Sequence, residues 1–313
     1  MQKMIVILGP TASGKTRLAV QVARRLNGEV VSVDSRQVYR DMDIGTGKDL
    51  DEYRVDDQLI PYHLINIVDA GREYNLYQYQ QDFSRVIAQI LERNRVPVLC
   101  GGTGLYLEAV LKGHRYTAIP VNEELRRTLQ TQTDEELIER FRRLPTEYTA
   151  LADTSTRKRR IRAIEIATYL TNQPMTDFPG TVSLPDAVVF GLDLPVEVRR
   201  ERISNRLRER LQNGMIEEVQ RLLERGIPAE KLIFYGLEYK FITQHLRGEL
   251  DYPTMVTRLE TAIHQFAKRQ MTFFRKMERD GLPIRWLDGL QPPGALTGII
   301  VSALASENPT HTS

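Results

Sequence analysis

The residues best placed to do chemistry open the chain: Gly9-Pro-Thr-Ala-Ser-Gly14-Lys15-Thr16. Two glycines let a backbone curl until successive N–H groups point inward, and a lysine and a threonine at this spacing reach a phosphate and its Mg²⁺. The apolar run Lys3–Leu8 before the loop reads as a strand and Arg17–Leu26 after it as a helix. Strand, loop and helix together make a phosphate or diphosphate cradle, built from Gly9, Pro10, Thr11, Ala12, Ser13, Gly14, Lys15 and Thr16, with a ligand-free glycine turn as the plain alternative. The motif does not say whether the phosphates are transferred, hydrolysed or expelled.

Other polar groups fall at the ends of apolar runs. Glu29–Val33 reads as a second strand and stops at Asp34-Ser-Arg-Gln-Val-Tyr39. Open α/β sheets put ligands at the carboxyl ends of their strands, so Asp34 is a candidate for the same crevice; an equally good reading is that it caps the following turn. Pro61–Asp69 reads as a short third strand, and His63 within it as a structural, hydrogen-bonding histidine. Val96–Cys100 leads into Gly101-Gly-Thr103-Gly104. Phosphate-transferring relatives of such folds often end this strand in the Asp that holds Mg²⁺. The Cys-Gly-Gly found here argues against an ordinary kinase, unless Asp34 or Asp193 supplies that carboxylate.

Charge is unevenly distributed. The net charge is only +2, yet Arg157-Lys-Arg-Arg-Ile-Arg162 holds five cations in six residues, and Arg199–Arg210 six arginines against two glutamates. Arg199, Arg202 and Arg206, three and four apart, share a helix face and can clamp anionic oxygens. Nearly unopposed arginine beside a phosphate loop points to a polyanion such as nucleic acid, against the usual reading of a solvated helix face.

These residues must be positioned by a core that is interrupted once. Between Gly113 and about Gly180 strand signals vanish and three helices are expected, at 122–131, 134–144 and 157–170. From Asp186 to Asp193 a strand returns, followed by long helices at 196–225, 232–247 and 252–279, a strand at 284–287 and a last helix near 296–304; the tail from Glu307 reads as disordered. The expected fold class is therefore α/β: a P-loop NTPase-like core with a parallel sheet flanked by helices, plus an all-helical insertion domain. Its expected division is 1–112 and 183–313 for the core and 113–182 for the insertion. At 313 residues, 41% hydrophobic and 27% charged, the chain needs no staples. No apolar run approaches the roughly 18 residues of a membrane span, and the N-terminus reads as a strand and not a signal peptide, so a cytoplasmic location is expected. The single cysteine, Cys100, has no partner for a disulfide or a zinc cluster and reads as a small buried residue.

Several of these stretches together resemble one family, the tRNA dimethylallyltransferases. The matching pieces are the phosphate loop, Asp34–Tyr39, Met42-Asp-Ile-Gly-Thr46 with Lys48, Pro61-Tyr-His-Leu, Gly101–Tyr106, Arg162-Ala-Ile-Glu165, Arg202-Ile-x-x-Arg206 with Gly214, and Ala267–Arg275. They run in family order over nearly the whole chain. The resemblance implies transfer of a dimethylallyl group from its diphosphate to N6 of adenosine at tRNA position 37, beside the anticodon, with diphosphate released. It makes Asp34 the general base, and gives the leaving diphosphate to the loop, Lys15, Thr16 with Mg²⁺, and Arg202 and Arg206. It implies tRNA contacts at Asp34, Ser35, Arg36, Gln37, Thr103, Arg126, Arg269 and Gln270, with Lys158, Arg159, Arg160, Ile161 and Arg162 gripping the anticodon stem-loop. Dimethylallyl diphosphate and tRNA are the implied partners of a monomer with no membrane contact.

The chain departs from the family where Gly45-Thr-Gly-Lys-Asp49 replaces Gly-Thr-Ala-Lys-Pro, where Glu238-Tyr-Lys-Phe241 replaces Gly-Tyr-Lys-Glu, and where Phe273-Phe274 replaces Trp-Phe. A further departure is Asp153-Thr-Ser-Thr156, where the family's approach to the basic helix is Asn-rich. The alternatives are an adenylate isopentenyltransferase acting on free nucleotides, a P-loop small-molecule kinase binding ATP, and a non-catalytic RNA-binding protein.

Overall fold

In the computed structural model the described residues are 3–173 and 184–306. They divide into two compact units, Met1–Lys112 with Val182–Ser313, and Gly113–Thr181.

The first unit is built on β1 (Met4–Leu8), β2 (Gly28–Val33), a small hairpin of β3 (Arg54–Val55) and β4 (Gln58–Leu59), β5 (Tyr62–His63), β6 (Val96–Gly101), β7 (Ala187–Asp193) and β8 (Ile284–Asp288). Six of them form one sheet in the order β5-β2-β6-β1-β7-β8, and every pairing in it is parallel. A parallel sheet is covered on both faces, which explains the unbroken apolar run Met4-Ile-Val-Ile-Leu8, buried throughout. Side chains alternate across a strand, so Met4, Val6 and Leu8 enter one core and Ile5 and Ile7 the other.

Helices α1 (Lys15–Arg25), α2 (Leu76–Glu92), α3 (Gly104–Lys112), α7 (Val196–Gln212), α8 (Met215–Glu224), α9 (Ala229–Tyr235), α10 (Leu237–Leu246), α11 (Tyr252–Arg279) and α12 (Pro293–Ser306) clothe this sheet. Leu18 and Val22 of α1 join Ile300 of α12 on the Ile5 side; Phe83 of α2 and Leu259 of α11 pack on the Val6 side. The second unit holds α4 (Glu123–Gln130), α5 (Asp134–Arg142) and α6 (Arg157–Asn172), packed around Leu129, Leu137, Phe141 and Ile164. Asn122, Thr133 and Thr156 cap the amino ends of its helices, each accepting a backbone N–H through its side chain.

Four expectations of the sequence change. The long helix at 196–225 is two helices broken at Gly214, whose φ of 94° lies where a side chain is strained. The helix at 232–247 breaks at Gly236. The expected third strand shrinks to Tyr62–His63 because Leu64 and Asn66 take φ values of 60° and 57°, and only a bridge between Tyr39 and Val68 continues the pairing. The last helix begins three residues early, at Pro293, and runs to Ser306. The tail from Glu307 and the segment 174–183 lie outside the described residues. His63 is structural: its Nε2 lies 2.6 Å from Glu29 Oε2, which Arg93 also grips at 2.7 Å. Burial raises the Glu29 carboxyl, but hydrogen bonds from Arg93 and His63 outweigh it and hold the group below its ordinary value. No helix of the described residues is long and apolar enough to cross a membrane.

Candidate functional site

The carboxyl ends of β1, β2 and β6 deliver the phosphate loop, Asp34 and the Gly101–Gly104 turn to one side of the sheet, where they line a cavity of about 580 Å³. In the loop Ala12 and Gly14 take φ of 61° and 83°, and Ser13 N donates to Pro10 O at 3.3 Å. Gly14 precedes α1, whose amino end has no side-chain cap and no acidic residue in its first turn. Its N–H groups and dipole therefore favour an external anion. Lys15 Nζ lies back on Pro10 O at 3.3 Å, and the buried Ser13 Oγ has no hydrogen-bond partner. Burial lowers the Lys15 ammonium from its ordinary value, with Arg206 adding to the effect and Cys100 and Asp34 opposing it.

Two arginines of α7 complete the cationic wall. Arg206 contacts the Thr11 hydroxyl through Nη2, and burial, with Arg210 beside it, lowers it to about 10. Arg210 Nη2 binds Asp49 Oδ1 at 2.9 Å and Oδ2 at 3.1 Å. The arginine row differs from the expected one: Arg199 is buried, and Arg202, a turn of about 5.4 Å before Arg206, does not reach the cavity wall. Asp193 is also elsewhere, its carboxylate accepting from Arg275 at 2.9 Å.

Asp34 fulfils both readings open to it. Its Oδ1 accepts the N–H groups of Arg36 at 2.8 Å and Gln37 at 3.3 Å, pinning the turn, while the residue lines the cavity. Oδ2 has no hydrogen bond within the described residues. Ser35 N donates to Thr103 Oγ1 at 3.2 Å, joining the turns after β2 and β6. Both ends of the Gln37 amide are held within the protein, the oxygen by Ser32 Oγ at 2.7 Å and the nitrogen by Gly47 O at 2.9 Å. Gln270 of α11 is buried between the phosphate loop and the glycine turn, while Arg269 is exposed on the cavity wall.

A second layer fixes the Asp43–Asp49 loop. Glu218 accepts the N–H groups of Asp43, Ile44 and Gly45 at 2.8, 2.8 and 3.0 Å and the Tyr239 hydroxyl at 2.7 Å. The fully buried Lys48 Nζ binds Tyr39 O and Asp43 Oδ1 at 2.6 Å each, and Asn66 Oδ1. Gly47, with φ of 64°, would place a Cβ 2.5 Å from Arg210 Nη2, so the Gly47 and Asp49 departures both belong to the Arg210 contact. The lining also carries apolar side chains: Leu105, Ile233, Phe234, Ile263, Phe266 and Phe273. Sequence reasoning missed these side chains, Arg210 and Glu238. Ile263, Phe266 and Phe273 recur at helical spacing beside Gln270, a stripe that was legible but indistinguishable from core. Burial raises the Glu238 carboxyl against the pull of Arg210 and Arg206.

In the insertion most of the cationic run is committed internally. Arg157 caps the carboxyl end of α4, donating to Gln130 O at 3.0 Å and Gln132 O at 2.6 Å. Arg160 pairs with Asp134 at 2.6 Å, and Arg162 donates to Ile119 O at 2.6 Å. Arg126 grips the buried Glu165 through two bonds of 3.0 and 2.9 Å. Ile161 packs against the insertion's own core. Lys158 and Arg159 are exposed, Arg159 in an ion pair with Asp153 at 2.9 Å.

The donors suit a hard cation only in part. Thr16 and Asp34 give oxygen ligands to one cavity, as Mg²⁺ prefers, and the described residues hold no cluster of three His, Cys, Asp or Glu able to bind a metal alone. Such a set fits Mg²⁺ shared with phosphate oxygens and water. Cys100 is buried, and burial pushes its thiol up to about 11, so it is no nucleophile.

Comparison with known proteins agrees with this geometry. The sequence model of the IPP transferase family matches residues 37–277, and that of the isopentenyl transferases residues 2–57. A tRNA dimethylallyltransferase 2 of Porphyromonas gingivalis is 55% identical over 294 residues, covering 92% of this chain and 95% of that protein. One of Bacteroides fragilis is 51% identical over 291 residues, covering 92% and 94%. The structure is similar to that of a full-length tRNA isopentenylpyrophosphate transferase from Bacillus halodurans, with a TM-score of 0.70, 30% identity and coverage of 98% and 96%. It shares its fold with a eukaryotic dimethylallyltransferase acting on tRNA, at a TM-score of 0.76, 23% identity and coverage of 100% and 82%. By these matches the chain belongs to the IPP transferase family, among the tRNA dimethylallyltransferases.

Proposed function

We infer that this chain transfers a dimethylallyl group from dimethylallyl diphosphate to the exocyclic N6 of adenosine at tRNA position 37, releasing diphosphate. The observation that carries the reading is that a cationic phosphate loop, an acceptor carboxylate and a set of apolar side chains line one cavity. Alkylating an exocyclic amine needs an allylic carbon from which diphosphate can depart. Charge therefore grows on the diphosphate as the bond to carbon breaks, and donors fixed beforehand stabilise it most. The α1 amino end, Lys15 and Arg206 are so fixed, and Arg210 stands next to them in the same wall. Thr16 would hold Mg²⁺, which neutralises diphosphate charge when bound.

The nitrogen becomes cationic as its bond to carbon forms and must lose one proton. Asp34 Oδ2 is oriented by the bonds that Oδ1 makes and takes that proton, a role worth typically about 10² to 10⁴ in rate. The less exposed part of that apolar lining, Ile233, Ile263 and Phe273, accommodates the five-carbon chain and keeps water from the allylic cation. The adenine must leave the anticodon stack to enter, as in other enzymes that modify a base. Arg126 and the run Lys158–Arg162 serve the RNA through the insertion, chiefly by shaping it, with Lys158 and Arg159 available to phosphates.

The test is incubation with dimethylallyl diphosphate and either unmodified tRNA or AMP, followed by mass spectrometry of the nucleosides. N6-alkylated adenosine in tRNA supports the reading. Alkylation of AMP alone would assign the chain to free nucleotides, and ATP-dependent phosphate transfer without alkylation would make it a kinase.

A further inference from the structure

Phe234 is 72% exposed, more than any other large apolar side chain among the described residues. It stands on the cavity wall. Its neighbours Leu232 and Tyr235 are buried at 0% and 3%, so the helical period that anchors α9 turns Phe234 outward. The ring is not loose. Arg36 Cζ lies 5.4 Å from its centroid, and Arg36 Nη2 donates to the Phe234 carbonyl at 3.0 Å. Arg36 is itself fixed, its N–H bound by Asp34 Oδ1 at 2.8 Å. The aromatic ring is thus tied through one residue to the carboxylate at which the proposed acceptor presents its amine.

An open aromatic face with a guanidinium over it, at the mouth of a cavity that also carries the exposed Arg269, matches one kind of ligand. Proteins that hold single-stranded nucleic acid stack bases on such rings and set arginines against the backbone. We propose that Phe234, held by Arg36, is a stacking platform for the nucleobase next to the alkylated adenosine. The proposal rests on the tRNA reading given above and adds a binding residue to it. A free mononucleotide has no neighbouring base and makes no use of the platform.

The test compares wild type, Phe234→Leu and Phe234→Trp on an anticodon stem-loop RNA and on two versions with an abasic residue, one on each side of the target adenosine. Phe234→Leu should raise KM for the RNA about tenfold, as loss of one base–aromatic stack does. KM for dimethylallyl diphosphate should change far less, and Phe234→Trp should restore binding to within about twofold. On one of the abasic RNAs the wild type should lose a similar factor and Phe234→Leu should add nothing. Equal KM values for wild type and Phe234→Leu, or an undiminished effect on both abasic RNAs, would overturn the platform while leaving the enzyme's activity on tRNA intact. Fluorescence anisotropy with the same RNAs repeats the comparison without turnover, so a failure of the reaction itself is read separately.

Discussion

Gln270 accepts the Thr11 N–H through Oε1 at 2.9 Å, and its Nε2 donates to Gly102 O at 2.8 Å. One buried amide thus ties the loop that holds the leaving group to the turn that carries Thr103. Replacement by leucine leaves a buried donor and a buried acceptor unpaired, at roughly 1–3 kcal/mol each. Gln270→Leu is expected to lower Tm by several degrees and raise KM for dimethylallyl diphosphate, measured by thermal melts and steady-state kinetics.

The donor's affinity should depend on pH through Lys15. Burial holds its pKa below the ordinary 10.5, and a bound diphosphate, being anionic, raises it again. The ligand therefore prefers the protonated enzyme. Affinity should be flat near neutral pH and fall once pH passes the lowered value, and binding in that window should take up a proton. Calorimetry of inorganic diphosphate binding at a series of pH values up to the ordinary 10.5, in buffers of different ionisation enthalpy, measures this uptake, and Lys15→Ala should remove the lysine's share of it.

Glu218 is a support and not a reactant. It satisfies three backbone N–H groups and the Tyr239 hydroxyl while 4% exposed. Glu218→Ala should cost about 3–5 kcal/mol, the usual price of breaking such a buried network. Glu218→Gln, which keeps one acceptor oxygen, should cost less than half as much in urea unfolding.

Within the insertion, neighbouring cations should behave differently. Arg162→Ala removes the donor to Ile119 O and should lower Tm. Lys158 has no hydrogen-bond or ion-pair partner among the described residues, so Lys158→Ala should leave Tm unchanged. It should weaken RNA binding and reduce the salt dependence by about one phosphate contact, read from Kd at several salt concentrations.

What was legible in the sequence follows from which forces are local. The phosphate loop declared itself because glycine spacing and the strand before it are local requirements. The alternating cores were legible in outline from unbroken apolar runs such as Met4–Leu8. Arg210 was missed because its partner, Asp49, is 161 residues away. Counting charge in Arg157–Arg162 overstated the free surface, since four of its five cations bind carbonyls or a carboxylate inside the insertion. The helix breaks at Gly214 and Gly236 lay inside strongly helical composition, where one glycine costs only about 1 kcal/mol and the pattern runs on through it.

The central claim is that Asp34 removes the N6 proton as diphosphate departs. Asp34→Asn keeps an oxygen for the Arg36 and Gln37 N–H groups, so the turn and Tm should hold. Single-turnover alkylation of tRNA at saturating dimethylallyl diphosphate, followed by mass spectrometry, isolates the step. The account predicts a rate about 10² to 10⁴ lower for Asp34→Asn with RNA affinity retained; a rate within a few fold of wild type would contradict it.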